Sequence, residues 1–144
     1  MTVAAILKHK GHEVAHVAPA ATIAEVVQSL TARRIGAVLV MDSAGQVLGI
    51  VSERDVVRSL AERGGRTMEM TAAQLMTADL QTAGPGTSVA QAMAVMTAGR
   101  FRHLPVMDGD HLLGIVSIGD VVKARLSQQD LEVDSLKAYV AGVG

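Results

Sequence analysis

One nine-residue stretch occurs twice in this chain, with seven of its nine positions identical. The first copy is Gly-Ile-Val-Ser-Glu-Arg-Asp-Val-Val at residues 49–57, and the second is Gly-Ile-Val-Ser-Ile-Gly-Asp-Val-Val at residues 114–122. A repeat of this kind indicates one structural unit made more than once. In each copy a short apolar run predicts a strand, a serine ends it, and the amphipathic segment that follows predicts a helix. The chain is therefore predicted to contain two units of the same fold.

The serine and aspartate of each copy, Ser52 with Asp55 and Ser117 with Asp120, allow two interpretations. In the first, the serine caps the exposed amides of the helix and the aspartate completes a capping box. In the second, the free amides and the positive dipole end of the helix bind a phosphate, and the aspartate accepts hydrogen bonds from ribose hydroxyls. A single copy favours capping. The duplication favours a binding role, because capping does not require the same string twice.

Composition narrows the classes of function. The 144 residues carry a net charge of −1, which argues against a nucleic-acid-binding surface. Cysteine is absent, so disulfides and thiol chemistry are excluded and a cytoplasmic location is expected. No apolar run reaches the ~18 residues that a membrane span needs, so no membrane contact is expected. His9, His12 and His16 lie close together, but Gly11 interrupts the helix that would align them, and no metal site is predicted.

The order of patterns predicts an α/β (α+β) fold of two pseudo-symmetric units. Each unit runs strand–helix–strand–strand–helix, with small sheets flanked by helices. The predicted boundaries are a helical lead-in at 1–12, a first unit at 13–64, a linker with a short helix at 65–78, a second unit at 79–126 and a helical tail at 127–144. Within these limits, the first strand of the second unit is predicted at 79–83 and irregular chain at 66–70.

A further motif supports a resemblance to a known family. The second unit carries Arg-His-Leu-Pro-Val-Met-Asp at residues 102–108, just before the second copy of the repeat. Together with the doubled Gly-hydrophobic-x-Ser-x-x-Asp string, it makes the sequence resemble tandem CBS domains, the Bateman module, over about residues 10–125. The chain resembles in particular the small stand-alone bacterial CBS-pair proteins, in which no enzyme or channel domain is attached.

The resemblance implies a chain that binds adenosine-containing ligands, without catalysis, in clefts between the two units. The expected ligands are AMP, ADP, ATP and NAD(H), with S-adenosylmethionine ranked below them. Asp55 and Asp120 would hold ribose hydroxyls, and Ser52 and Ser117 would lie near ribose or phosphate. The other expected contacts are backbone groups that read the adenine edge (His16, Val17, Thr82, Ala83), apolar walls for the base (Val38, Leu104) and basic residues for phosphate (Arg54, Arg102, His103).

The two units depart from one another at the expected phosphate contacts. The first unit has glycine and alanine at residues 36–37, where the second has Arg102 and His103. The first unit alone carries Arg54, where the second has Gly119. The two pockets are therefore expected to differ in ligand or in affinity.

Three hypotheses of function come from different classes. The first is a regulatory sensor of an adenine nucleotide with an unknown protein target. The second is a dimeric interaction scaffold with vestigial pockets, and the third is an enzyme that uses Ser117 with Asp120 or His103. The sensor is favoured, because the sequence shows no activated nucleophile and no set of metal ligands. The resemblance also implies a homodimer formed through the CBS helices.

Overall fold

Helices and short strands alternate in a similar order in both halves of the chain. The structure is a computed structural model that describes the backbone of residues 1–143 and the side chains of residues 1–129, 133 and 136–140. The elements are α1 (Val3–Lys10), β1 (His16–Val17), α2 (Ile23–Arg33), β2 (Ala37–Met41), β3 (Val47–Ser52), α3 (Glu53–Arg63), a 3-10 helix (Gly64–Glu69), α4 (Ala72–Leu75), α5 (Val89–Gly99), β4 (His103–Asp108), β5 (His111–Ser117) and α6 (Ile118–Val143). The predicted fold class, small sheets flanked by helices, is confirmed.

The chain divides into two compact units that do not follow the order of the sequence throughout. The first-repeat unit is Glu13–Leu80, and the second-repeat unit joins Met1–His12 to the chain from Gln81 onward. Helix α1 therefore precedes the first repeat in sequence but packs with the second.

The sheet of the first-repeat unit has the order β1-β2-β3, with β1 parallel and β3 antiparallel to β2. The continuous apolar run at residues 36–41 predicts a buried strand, and the central strand β2 has both faces covered. Helix α2 contributes Ile23, Val26 and Leu30 to the core, because apolar residues three and four positions apart share one helix face. The core of this unit is formed by Ile23, Val26, Leu30, Val38, Val40, Val51, Val56 and Ala72.

The second-repeat unit is built on the hairpin of β4 and β5. Helices α1 and α5 and the start of α6 contribute to its core, which contains Val3, Ile6, Leu7, Ala83, Val89, Ala92, Met96, Leu104, Val106, Val116 and Val121. The hairpin from His103 to Ser117 is one residue shorter than the one from Ala37 to Ser52, and Gly109 takes a left-handed conformation in its turn (φ 59°). This difference accounts for a spacing between the units of 66 residues before the turn, Ala37 to His103, and of 65 residues after it, Ser52 to Ser117.

The strand predicted at 79–83 is wrong in extent. In this segment only Ala83 makes a sheet-like pair, a single parallel bridge to Val106 of β4. Six residues earlier, Thr77 pairs with Ile50 of β3 instead. The chain passes from one unit to the other between these two bridges, so it cannot continue along either sheet as a longer strand.

The segment predicted as irregular linker at 66–70 is largely a 3-10 helix, Gly64–Glu69. It is anchored by Thr67, whose side chain is fully buried and hydrogen-bonds Ser59 of α3 at 2.8 Å. Helix α4 follows, with Ala72 in the core of the first-repeat unit. A buried polar pair at this spacing is not visible in a hydrophobic pattern, which explains why the sequence predicted no structure there.

Candidate functional site

The first copy of the repeated string forms a complete capping box at the start of α3. The Ser52 Oγ accepts a hydrogen bond from the Asp55 backbone N–H at 3.3 Å. In return, Asp55 Oδ2 accepts hydrogen bonds from the Ser52 backbone N–H at 2.8 Å and from the Ser52 hydroxyl at 2.9 Å. The nearest cation is Arg58 on the same helix, with Nη1 3.9 Å from Asp55 Oδ1. The local interpretation of the motif, helix capping, is therefore present in this unit.

The second copy forms the same box at the start of α6. The Ser117 Oγ accepts a hydrogen bond from the Asp120 backbone N–H at 3.1 Å, and Asp120 Oδ2 accepts one from the Ser117 N–H at 2.8 Å. The difference from the first copy is Lys10, the last residue of α1. Its Nζ lies 2.7 Å from Asp120 Oδ2 and also donates to the carbonyl of Ile115 at 2.9 Å.

Lys10 contributes to a lowered pKa of the second-copy aspartate. Burial alone would raise the pKa of Asp120. The hydrogen bonds from Lys10 and Ser117, with the positive charge of Lys10, outweigh burial and hold the pKa of this carboxyl below its ordinary value. The Asp120 carboxylate is therefore ionised at neutral pH and paired with an ammonium.

Some of the helix amides that were expected to bind a phosphate donate hydrogen bonds within the protein instead. The N–H of Glu53, at the start of α3, donates to the carbonyl at residue 36 (2.9 Å). Likewise the N–H of Ile118, at the start of α6, donates to the Arg102 carbonyl (2.7 Å). Because the third amide of each helix bonds the capping serine, two of the first three amides are already occupied. The first and third amides of each helix are therefore not free to bind a phosphate.

The remaining predicted residues of the first-repeat unit lie in different environments. His16 is exposed on the edge strand β1, where its Nδ1 is 3.2 Å from the Val14 carbonyl, and Val17 beside it is half-buried. Arg54 is exposed in the first turn of α3. Val38, expected as a wall for the base, has no exposed surface and packs in the core. Its side chain is not available to a ligand.

In the second-repeat unit, β4 brings two predicted residues next to the motif. His103 opens β4 opposite Ser117 in the antiparallel register, and Arg102, which is exposed, precedes it. Leu104 is a core residue, 1% exposed, so it cannot form the expected wall.

The two residues of this unit whose backbone was expected to contact the adenine edge differ in accessibility. Thr82 is exposed. Ala83 donates its N–H to Pro105 and accepts from Met107, so its backbone is committed to β4.

The sequence did not predict Lys10, although it makes the shortest ion pair of the second-repeat site. It is 110 residues away from Asp120 in the chain, and no motif contains it. The available signal was the amphipathic pattern of α1, whose apolar residues Val3, Ile6 and Leu7 predict a buried face.

Two surface grooves of the first-repeat unit are lined by other residues. One, of about 440 Å³, is lined by residues of α2, α3 and the loop before β2, namely Val27, Leu30, Thr31, Arg34, Ile35, Gly36, Glu53, Val56 and Val57. The other, of about 650 Å³, is lined by Glu62, Arg63, Arg66, Glu69, Met70 and Gln74. No predicted site residue lines either groove. Within the part of the chain that the structure describes, no three histidine or acidic residues cluster as metal ligands would.

The chain belongs to the CBS-domain family. The family model for the CBS domain matches residues 5–62 and again residues 72–127, one match for each repeat. The resemblance inferred from the repeated string is thereby confirmed.

Several relatives share nearly the whole chain. CBSX3, a mitochondrial CBS domain-containing protein of Arabidopsis thaliana, is 36% identical over 125 residues, which are 84% of this chain and 61% of that protein. The chain thus spans about three fifths of the length of this relative. A crystal structure of a CBS-domain protein from Agrobacterium tumefaciens is 43% identical, with a TM-score of 0.84 over 86% of this chain and 92% of the other. One from Burkholderia ambifaria is 36% identical, with a TM-score of 0.84 over 90% and 96%.

Two more distant structures share the fold and contain ligands. CBSX2, solved in complex with AMP, is 24% identical with a TM-score of 0.69, over 81% of this chain and 90% of that chain. A CBS-domain pair solved with 5′-methylthioadenosine and S-adenosyl-L-methionine is 22% identical with a TM-score of 0.78, over 89% and 98%. None of the helices in the described chain combines the length and the hydropathy needed to cross a membrane.

Proposed function

We propose that this protein is a regulatory module that binds an adenosine-containing ligand at its Ser-x-x-Asp helix starts. Binding of the ligand then changes how the module acts on a protein target. The observation that carries the proposal is the repeated pair of partly exposed carboxylates, Asp55 and Asp120, each positioned by a serine at the end of a strand. A carboxylate with one oxygen fixed by the helix cap keeps acceptor capacity for a pair of vicinal hydroxyls. The AMP and S-adenosylmethionine complexes of related folds support the same ligand class.

The residues that we assign to ligand contact are those with accessible groups. In the first-repeat unit they are Ser52, Arg54, Asp55 and the edge strand at His16 and Val17. In the second-repeat unit they are Thr82, Arg102, His103, Ser117 and Asp120. AMP, ADP, ATP and NAD(H) are the preferred ligands, and S-adenosylmethionine ranks below them. A sensor needs only a ligand that binds two conformations with different affinity, and we assign no catalytic step to these residues.

The two sites are proposed to differ. Arg102 and His103 flank the motif in the second-repeat unit, whereas glycine and alanine stand at the corresponding residues 36–37. Only Asp120 is paired with a lysine. A ligand therefore meets a different set of charges at each aspartate.

The test is calorimetric titration of AMP, ADP, ATP, NAD, NADH and S-adenosylmethionine into the wild type, Asp55→Asn and Asp120→Asn. Asparagine keeps an oxygen that can cap the helix, so loss of affinity reports the lost charge rather than a frayed helix. We expect a dissociation constant at least about tenfold higher at the altered site, since hydrogen bonds to a charged group contribute about 1.5–3 kcal/mol.

Gln91→Ala is the matched control. Gln91 completes a capping box with Ser88 at the start of α5 and is not assigned to ligand contact. This variant loses a cap of the same kind and should bind with wild-type affinity. No heat with any of the six ligands would remove the sensor proposal.

In that case the alternative, an interaction scaffold with vestigial pockets, would take its place. Both proposals include a homodimer formed through the helices after each motif, which expose Val57, Leu60, Val122 and Leu126. A cytoplasmic location stays a prediction that rests on the cysteine-free composition.

A further inference from the structure

Lys10 is a charged residue that the capping motif does not explain. Its Nζ is shared between Asp120 Oδ2 at 2.7 Å and the Ile115 carbonyl at 2.9 Å. An ammonium has three donors, so one N–H is left after these two bonds. The side chain keeps 37% of its surface exposed, and that of Asp120 keeps 26%. A ligand that reaches the Asp120 carboxylate therefore also reaches the Lys10 ammonium.

In the first-repeat unit the corresponding strand carbonyl has a hydrogen-bond donor that is not a cation. There the carbonyl of Ile50, which corresponds to Ile115, accepts a hydrogen bond from the backbone N–H of Thr77 at 2.9 Å. The aspartate of that unit turns its Oδ2 to the Ser52 hydroxyl instead of to a lysine. An ammonium is thus not required by the fold of the motif, and its presence at Asp120 alone changes the charge of one site.

We propose that Lys10 makes the Asp120 site selective for an adenosine ligand that carries a phosphate. A carboxylate alone repels a phosphate and attracts a cation. Once Lys10 neutralises the carboxylate and presents its third N–H, a nearby phosphate gains a charge-assisted hydrogen bond. A neutral nucleoside gains nothing from the ammonium, and a sulfonium is repelled by it. This inference rests on the proposed function and names the ligand class for one of its two sites.

The experiment compares AMP with adenosine, which differ by the phosphate alone. Each is titrated by calorimetry at low and moderate salt into the wild type, Lys10→Met and Lys10→Arg. The methionine keeps a long apolar stem but removes the charge, whereas the arginine restores it. We expect Lys10→Met to weaken AMP about tenfold or more at the site that Asp120→Asn disables, to leave adenosine within about twofold, and to reduce the salt dependence of AMP binding. Lys10→Arg should recover most of the AMP affinity.

Lys8→Met is the matched control, because Lys8 is an exposed lysine on the same helix with the same charge. It should bind both ligands as the wild type does. Equal weakening of AMP and adenosine in Lys10→Met would overturn the inference, since it would show that Lys10 acts only by holding α1 on the strand.

Two other results separate this inference from the function on which it rests. AMP binding that Asp120→Asn does not alter would overturn the Lys10 assignment and leave the sensor in place at Asp55. A wild type that binds neither AMP nor adenosine would overturn both.

Discussion

The two aspartates of the repeated string have the same local geometry but different charged neighbours. Both Asp55 and Asp120 cap a helix through the same pair of hydrogen bonds to the preceding serine. Only Asp120 receives an ammonium from a distant helix, and its pKa is lowered although burial acts to raise it. The charge of a neighbour from elsewhere in the chain, rather than the motif itself, distinguishes the two.

Removal of this ammonium is predicted to lower stability in a pH-dependent way. Lys10→Met should cost about 1 kcal/mol of unfolding free energy at pH 7, because a partly exposed ion pair and one hydrogen bond are lost. The pKa of Asp120 is lower folded than unfolded, so the stabilisation is present above the unfolded value of about 3.9 and is lost as pH falls through the folded value. Urea unfolding of both proteins at pH 7, 5, 4 and 3 measures the difference.

The stability difference between wild type and Lys10→Met should stay constant from pH 7 to 5 and shrink at pH 4 and 3. Lys8→Met, which loses an exposed charge on the same helix, should change stability by less than about 0.5 kcal/mol. A difference that stays constant down to pH 3 would show that the Asp120 pair contributes nothing to stability.

At the scale of elements, the glycine that opens each repeated string lets another segment approach a strand closely. A Cβ built on Gly114 of β5 would lie 2.7 Å from Cδ2 of Leu7 on α1. A Cβ built on Gly49 of β3 would lie 2.6 Å from Sδ of Met76 and 2.8 Å from the carbonyl oxygen of Thr77. The glycine is thus a packing requirement in both units, and at Gly49 part of the obstacle is backbone.

Gly49→Ala is therefore predicted to destabilise the protein more than Gly114→Ala. Overpacking of this kind costs about 1–3 kcal/mol, and the larger cost falls where a main-chain atom must move. Thermal and urea unfolding measure both variants. Gly65→Ala is the control, because nothing lies within 4 Å of a Cβ at that position. An equal effect of all three substitutions would show that helix or strand propensity, and not close approach, explains the glycines.

The junction of α3 with the 3-10 helix depends on a buried polar pair. Ser59 and Thr67 are 1% and 0% exposed, and their hydroxyl oxygens are 2.8 Å apart. Arg63 adds a hydrogen bond to the Ser59 oxygen at 3.2 Å. Loss of Ser59 leaves the buried Thr67 hydroxyl without this partner, and loss of Thr67 leaves Ser59 with the weaker contacts to Arg63 and Met70. Each single loss is therefore costly, whereas loss of both hydroxyls removes the need for their bond.

Ser59→Ala and Thr67→Val are each predicted to cost about 1–2 kcal/mol of unfolding free energy, and the double variant should cost clearly less than their sum. Urea unfolding of the four proteins gives the coupling energy. Ser127→Ala, an exposed helical serine, should stay within about 0.5 kcal/mol of wild type. Strictly additive costs would contradict a direct hydrogen bond between the two hydroxyls.

At the scale of the whole molecule, both repeats expose apolar side chains at corresponding positions of the helix after the motif. Val57 of α3 is 65% exposed, and Val122, its counterpart 65 residues later on α6, is 41% exposed. Further along α6, Val133, Leu136, Tyr139 and Val140 are exposed as well. An apolar surface repeated on both units fits the proposed association of two copies through these helices.

We expect sedimentation equilibrium to give twice the mass of one chain for the wild type and the mass of one chain for the double variant Val57→Glu/Val122→Glu. Buried charges without partners would oppose association through these faces, whereas the exposed positions tolerate glutamate in the single chain. Leu136→Glu tests whether the end of α6 takes part. A wild type with the mass of one chain would contradict the dimer.

The sequence alone was sufficient for those features that depend on neighbours along the chain. The doubled string predicted two units, and its Ser-x-x-Asp spacing allowed the capping bonds as one of two interpretations, because these bonds join residues three positions apart. The uninterrupted apolar run of β2 likewise predicted a buried strand. The strand predicted at 79–83 was wrong in extent, since long-range pairing of Thr77 and Ala83 with different strands decides the course of that segment.

Only the tertiary structure decided which residues from distant parts of the chain meet. The resemblance suggested Val38 and Leu104 as walls of a ligand pocket, whereas in the structure both side chains lie among other core residues. Helix α1 precedes the first repeat, yet it packs with the second and brings Lys10 to Asp120 across 110 residues. Local hydrogen bonds can be predicted from the spacing of residues in the sequence, whereas the packing of α1 on β5 depends on which apolar faces fit together. The charge of the second-repeat site follows from that fit.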